Sequence, residues 1–324
     1  MSVPLIYIGG AWRSGSTLLE RMLASIPGFW PVGELVFVWE WGLKLNNRCG
    51  CGERFHDCLF WNKVGEVAYG GWQRVDADEA VRLRATVDRH RNLDRIAGFR
   101  RHGKLAADMA AYLDLTSRLY HAVHEVSGAS VIVDSSKTLS YALVLRELPC
   151  FDLRLVHLVR RSHGVAHSWS KQVPKPGVGD GNSFMSTHQP AWSVGFWIAD
   201  NLLYDALAGQ FPIATRLRYE QLVADPRIQL VKLFDRLGLR VLDRTLDFLK
   251  DTSAELMPTH GIAGNPMRFD QGLVSLRVDD EWRTSMSPRR RLMISAATWP
   301  LLKHYGYPIA PERLLSHDLA TPSR

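Results

Sequence analysis

The sequence is poor in cysteine, with four in 324 residues. Three of them, Cys49, Cys51 and Cys58, fall close together while Cys150 stands alone. That count and spacing exclude a disulfide framework in a chain of this length and point to a reducing compartment. Also absent is any apolar run of the ~20 residues needed to cross a bilayer, and Met1 to Ile8 lead into glycines without a basic leader. A cytoplasmic protein with no stable membrane insertion is the expectation. There is no internal repeat and no low-complexity tract, which leaves an ordinary globular architecture; only Ala320 to Arg324 read as a frayed tail. Acidic residues are outnumbered, 33 Asp and Glu against 40 Lys and Arg for a net charge of +7. Apart from Arg289, Arg290 and Arg291 the basic residues are scattered, and no aromatic-flanked basic tract is present. The balance therefore favours an anionic small ligand and gives no reason to expect nucleic acid.

At 46% hydrophobic residues the chain can bury a sizeable core, and one domain over residues 1–324 is the economical reading. Leu5–Ile8, Val131–Val133, Leu153–Val159 and Ala214–Leu217 read as buried strands separated by helical patterns, the mark of parallel β-α units. After the first strand a glycine-rich turn leads into Leu18, Leu19, Met22, Leu23 and Ile26, which share one helical face. The stretch from about 36 to 125 is rich in Trp, Arg and Asp and shows no buried strand, so it reads as a mostly helical insertion. Residues 172–192 have Pro, Gly, Ser and Asn without a stable period and read as a loop able to gate a substrate. The fold class expected is α/β, a P-loop NTPase-like parallel sheet flanked by helices.

Gly10-Ala11-Trp12-Arg13-Ser14-Gly15-Ser16-Thr17 has P-loop spacing. Glycines let backbone N–H groups turn inward and the following helix offers its partially positive end to a phosphate. The position that carries lysine in triphosphatases is Ser16. Arg13, Ser14, Ser16 and Thr17 supply a guanidinium fork and hydroxyls instead, suited to a phosphate with one further oxyanion group and needing no metal. A second anion site is expected where Leu155 to Val159 end in Arg160, with Ser168 two helical turns later, because strand ends open into the ligand crevice of α/β sheets. Two separated phosphate sites describe a nucleotide phosphorylated at both ends.

On these motifs the chain resembles the sulfotransferases that use 3′-phosphoadenosine-5′-phosphosulfate (PAPS), in particular the bacterial branch related to carbohydrate and tyrosylprotein enzymes. The resemblance runs in islands across residues 5–283. It implies that Arg13, Ser14, Gly15, Ser16 and Thr17 bind the 5′-phosphosulfate and that Arg160 and Ser168 bind the 3′-phosphate. It also implies that Tyr219, in Arg218-Tyr219-Glu220-Gln221-Leu222, lies near the adenine, and that Gly264-Asn265-Pro266-Met267-Arg268 closes over the nucleotide. PAPS would be the donor and 3′,5′-adenosine bisphosphate (PAP) the product.

Transfer to a hydroxyl calls for a base and fixed cations. Glu34, in Pro31-Val32-Gly33-Glu34-Leu35, follows the first helix and is placed like the glutamate base of several members of that branch; its competing role is to open the next helix. His157, His163, His167 and His188 are the histidine alternatives, with His157 reading as a core residue. Lys137, ending Val133-Asp134-Ser135-Ser136-Lys137, is placed to reach the sulfuryl oxygens, and Asp134 reads as structural or substrate-orienting. Cys49, Cys51, His56 and Cys58 offer four zinc-type ligands, but the C-x-C start is tight and no second pair follows, so a compact turn anchored by Phe55, Phe60 and Trp61 is preferred and no metal site is expected. Trp30, Trp39, Trp41, Trp61 and Trp72 are candidates for an acceptor pocket or for the core. The acceptor expected is a carbohydrate, glycolipid or natural-product hydroxyl, and a homo-oligomer stays open. A P-loop kinase or NTPase, or a nucleotide-binding module without chemistry, are the other readings.

Overall fold

The computed structural model describes residues 2–93, 96, 103–175 and 184–308. Five parallel strands form the central sheet: β1 (Val3–Gly9), β2 (Phe29–Gly33), β3 (Val131–Lys137), β4 (Phe151–Val159) and β5 (Ile213–Arg218), in the order β2-β3-β1-β4-β5. Four contain the runs expected from sequence. The fifth, β2, is an edge strand holding Pro31 and Gly33; an edge tolerates proline because the missing N–H need not join a ladder.

The sheet is buried on both faces, and the alternation of side chains along each strand sorts them between two cores. Leu5, Tyr7, Ile132, Leu153 and Leu155 join one core; Ile6, Ile8, Val131, Val133, Val156 and Leu158 join the other. The helix α1 (Ser16–Ala24) lies on the second side, with Leu18, Leu19, Met22 and Leu23 buried. The first core is completed by the chain between β2 and β3. That chain carries α2 (Leu59–Tyr69), α3 (Ala77–Val87) and α4 (Gly103–Ser127), together with 3-10 turns and a π-helical turn over Val38–Lys44.

The remaining helices are α5 (Leu139–Leu145), α6 (Ser162–Ser170), α7 (Pro190–Leu207), α8 (Tyr219–Ala224), α9 (Pro226–Arg236), α10 (Trp282–Ser285) and α11 (Pro288–His304). A small antiparallel sheet, β6 (Leu249–Lys250), β7 (Ser253–Leu256) and β8 (Gly272–Ser275), packs beside α1. Because β1 pairs with β3 on one side and β4 on the other, the strand order reverses at β1, and the crevice at the carboxyl ends of those strands is where an open α/β sheet binds its ligand. Among the described residues no helix is long and apolar enough to cross a membrane. The expected tail at 320–324 and residues 176–183 of the expected 172–192 loop lie outside the described residues.

Candidate active site

A cleft of about 390 Å³ opens at that end of the sheet, within the size range of ligand sites. The loop after β1 forms its floor. Gly10 has φ 132° and Gly15 φ 95°; a Cβ on the first would run into the Leu158 carbonyl and one on the second into the Tyr219 ring. Neither position accepts another residue, so the glycine spacing read from sequence has a steric cause. Gly15 is the left-handed cap of α1, which aims the helix's first-turn N–H groups, lacking intrahelical partners, at the cleft. Ser16 and Thr17 line it. Ser14 does not; its Oγ is buried without a hydrogen-bond partner among the described residues. A cradle that only glycine fits, an orphaned hydroxyl beside it and a helix start suit a bound phosphate group.

Arg13 and Arg160 reach the same cleft from the β1 and β4 strand ends. Arg13 sits in left-handed backbone, φ 71°, with its guanidinium 4.9 Å above Trp169 and donating to Met185 Sδ at 3.1 Å. Burial holds its pKa below the ordinary value, with Arg160 adding to the depression and Glu34 opposing it. Arg160 donates to the Arg13 carbonyl at 3.1 Å, pairs with Asp279 at 2.9 Å and lies 4.7 Å above the Tyr219 ring. Trp197 Nε1 pins the Arg160 carbonyl at 2.9 Å. Ser168, on α6, also lines the cleft. The two arginines thus line one cleft.

Glu34 and Lys137 form a buried ion pair in the same cleft, with side chains 6% and 4% exposed. Each is aimed by an irregular strand end, which is a recurrent means of turning a side chain out of a sheet. β2 shifts register between Pro31 and Gly33, and Glu34 N donates to the Ile262 carbonyl at 2.7 Å. β1 and β3 shift between Tyr7 and Gly9, and Lys137 at φ 66° is held by Tyr204 Oη on its carbonyl at 2.5 Å. Glu34 precedes the turn Leu35–Phe37 but makes no side-chain cap there; its carboxylate takes the Lys137 ammonium, which also donates to the Ser135 carbonyl at 3.0 Å and stands 5.0 Å over Trp12.

Behind the pair lies a residue that the sequence did not single out. Glu20, buried on α1, accepts from Gly33 N at 2.5 Å and from Ser135 Oγ at 2.7 Å, tying the strand ends that carry Glu34 and Lys137. Burial lifts its pKa to about 7 against those hydrogen bonds. Asp134 is structural, taking Tyr120 Oη at 2.5 Å and Ser136 N at 2.7 Å, with burial raising its pKa to about 6.

Of the late segment, Gly264, Asn265 and Met267 line the cleft while Pro266 and Arg268 do not. Arg268 is buried and spends its guanidinium on the carbonyls of Gly264 at 3.0 Å and Arg48 at 3.3 Å, which makes it a strut. Arg21 does the same for the other end, donating to the Met267, Met257 and Asp270 carbonyls at 2.7, 2.9 and 2.5 Å. The flanks of the 172–192 loop meet at the Pro174–Phe184 bridge and bring Lys175, Met185 and Ser186 to the cleft.

None of the four histidine alternatives lines the cleft. His157 is a core residue bonded to Asn201 at 2.9 Å, and His163 is buried, its pKa pushed down to about 4 mainly by desolvation. Of the five tryptophans considered, Trp41 alone lines it, on a shelf with Phe37 and Trp12; Trp39, Trp61 and Trp72 are core. Asp279 and Lys175 also line the cleft; neither was singled out from sequence as a site residue, although Lys175 lies within the expected 172–192 loop. His56 is not with the cysteines: its Nε2 lies 3.0 Å from the Leu43 carbonyl, and His260 takes that place.

A family model described as the sulfotransferase family matches residues 4–243. No curated protein matches the chain in sequence. Among solved structures, the sulfotransferase domain from the Synechococcus PCC 7002 olefin synthase is 20% identical with a TM-score of 0.52, over 95% of this chain and 96% of that one. The sulfotransferase domain from the curacin biosynthetic pathway is 19% identical with a TM-score of 0.53, over 95% and 99%. Both are likenesses of fold.

Proposed function

Because the chain belongs to the sulfotransferase family, we propose that it moves a sulfuryl group from PAPS to an acceptor hydroxyl, with Glu34 as general base. The single observation that carries this reading is the convergence, in one cleft, of a lysine-free phosphate loop, the Arg160–Ser168 strand end and the buried Glu34–Lys137 pair. Arg13, Ser16, Thr17 and the loop amides would hold the 5′-phosphosulfate, and Arg160 with Ser168 the 3′-phosphate. Tyr219, under Arg160 and against Gly15, would bound the nucleoside between them. Glu34 would take the acceptor proton while the acceptor oxygen bonds to sulfur. The bond from sulfur to the phosphate oxygen breaks, and Lys137 and Arg13 meet the charge that collects on the departing oxygen.

Lysine is missing at Ser16, which disfavours a triphosphatase. The shelf of Trp12, Phe37 and Trp41 beside Glu34 favours an acceptor hydroxyl carried on a sugar, lipid or natural-product body with an apolar face. Calorimetry on the purified chain should find PAP binding that survives EDTA. Glu34→Gln should keep that binding and lower turnover by about 10²–10⁴-fold. Mg²⁺-dependent ATP binding without PAP binding would end the proposal, and full turnover in Glu34→Gln would move the base elsewhere.

A further inference from the structure

Among the described residues, one cluster of ligating side chains outside the cleft has no role in the transfer. Cys49, Cys51 and Cys58 come from the turn before α2, and His260 comes from the chain that follows β7, far along the sequence. One ligand atom from each lies within 4.8 Å of all the others. The Cys51–Cys58 and Cys49–Cys58 sulfur separations are 3.8 Å, and His260 Nδ1 lies 3.3 Å from Cys58 Sγ and 3.8 Å from Cys49 Sγ.

Those spacings have a direct geometric meaning. Four ligands at the corners of a tetrahedron, with Zn–S ~2.3 Å and Zn–N ~2.05 Å, stand about 3.8 Å apart for S···S and about 3.6 Å for S···N. The sulfurs are far beyond the ~2.05 Å of a disulfide. The imidazole is also oriented by its surroundings. Its ring packs against both Trp30 and Phe60, centroids at 5.8 and 5.0 Å, in a three-ring cluster where those two also touch, and Trp61 Nε1 holds the His260 carbonyl at 2.9 Å. Those contacts help keep Nδ1 aimed at the sulfurs. Cys49 and Cys58 are buried and Cys51 and His260 half-buried, and none of the four lines the cleft.

We propose that Cys49, Cys51, Cys58 and His260 bind one zinc ion in a closed, structural site. Three thiolates and a neutral imidazole complete a tetrahedral set, and a full set of protein ligands leaves no position for substrate. The site would staple the turn before α2 to residues 259–262. That stretch also holds the base. Gly50 N donates to the Gly261 carbonyl at 3.1 Å, Ile262 N to the Val32 carbonyl at 2.9 Å, and Glu34 N to the Ile262 carbonyl at 2.7 Å. The metal site itself does not depend on the sulfuryl-transfer reading, because its readout is metal content.

The test is elemental analysis of the full chain purified in reducing buffer without chelator. About one zinc per chain is expected, released stoichiometrically when a mercurial titrates the thiols. Cys150→Ser, at an exposed cysteine away from the cluster, should retain the metal, whereas Cys58→Ser should lower its content at least roughly tenfold. Should Cys58→Ser not fold, two other measurements decide. His260→Cys should keep zinc in a four-thiolate site, and cobalt(II) exchanged into the unaltered chain should give tetrahedral visible bands with a thiolate charge-transfer band. Iron in place of zinc, a disulfide among the three cysteines after reducing purification, or metal-free protein that takes up neither zinc nor cobalt would each overturn the proposal.

Discussion

Lys137→Met is the sharpest perturbation the site offers. Methionine keeps the Cβ and the unbranched stem of lysine and ends one atom short, without the ammonium, so the cost of the left-handed backbone at φ 66° is the same in both proteins, and the difference isolates the ammonium. With both partners at most 6% exposed, losing the lysine leaves a nearly buried carboxylate without its ion-pair partner, which costs about 3–5 kcal/mol. Glu34→Gln is milder, roughly 1–3 kcal/mol, because Lys137 keeps the Ser135 carbonyl and the amide oxygen still accepts. If the two side chains depend on each other, Glu34→Gln with Lys137→Met should cost less than the two single changes added, by about 1–3 kcal/mol. Urea unfolding of the four proteins measures this, read from midpoints at constant slope. Single-turnover transfer from labelled PAPS supplies the chemical arm, in which either single change slows the step and the double change is no slower than the worse single. Additivity within ~0.5 kcal/mol would refute a coupled pair and, with it, the argument that Lys137 holds the base in place.

Arg160→Met should weaken PAP binding by about 10–100-fold, the worth of one or two charge-assisted hydrogen bonds. Asp279→Asn should do the opposite by roughly 2–10-fold, since Asp279 sits on the Arg160 guanidinium at 2.9 Å where an anion would compete; calorimetry in low and high salt reads both, and weaker binding in Asp279→Asn would remove Arg160 from the anion site. Glu20 predicts a pH effect of defined sign. Burial lifts its folded pKa from 4.5 to about 7, so between those values the unfolded chain sheds its proton first, and this group's contribution is full below about pH 4.5 and lost as pH rises towards 7. The loss is on the order of 3 kcal/mol. Thermal unfolding from about pH 5 to about pH 8 should show that decline in the unaltered protein and a flatter profile in Glu20→Gln; parallel profiles would refute it.

What was legible in the sequence was what its own neighbours encode. The phosphate loop stood out because Gly10 and Gly15 must each meet another chain segment at a distance that forbids a Cβ, and because the apolar face of α1 follows directly. Strand ends at Arg160 and Lys137 were readable from the largely apolar runs Leu153–Val159 and Val131–Val133 before them, as expected of strands buried on both faces. β2 was not read, because at a sheet edge Pro31 and Gly33 cost little and their presence reads as loop; β6 to β8 are too short, two to four residues each, to show a period. The cysteine turn is instructive. His56 is the local histidine and stood with the three cysteines as a possible zinc-type ligand in a turn where no metal was expected, yet its ring turns to the Leu43 carbonyl, and the imidazole that meets the sulfurs is 202 residues from Cys58. Nothing near Cys58 could have named it. The same holds for Asp279 on Arg160 and for Glu20 under Gly33 and Ser135. In each case a buried or half-buried polar group finds its partner only once the sheet has brought distant strand ends together, because burial makes a partner obligatory without saying where in the chain it comes from. Local pattern therefore locates the loop and strand ends that open into the cleft, while the groups that hold them in place have to be read from the fold.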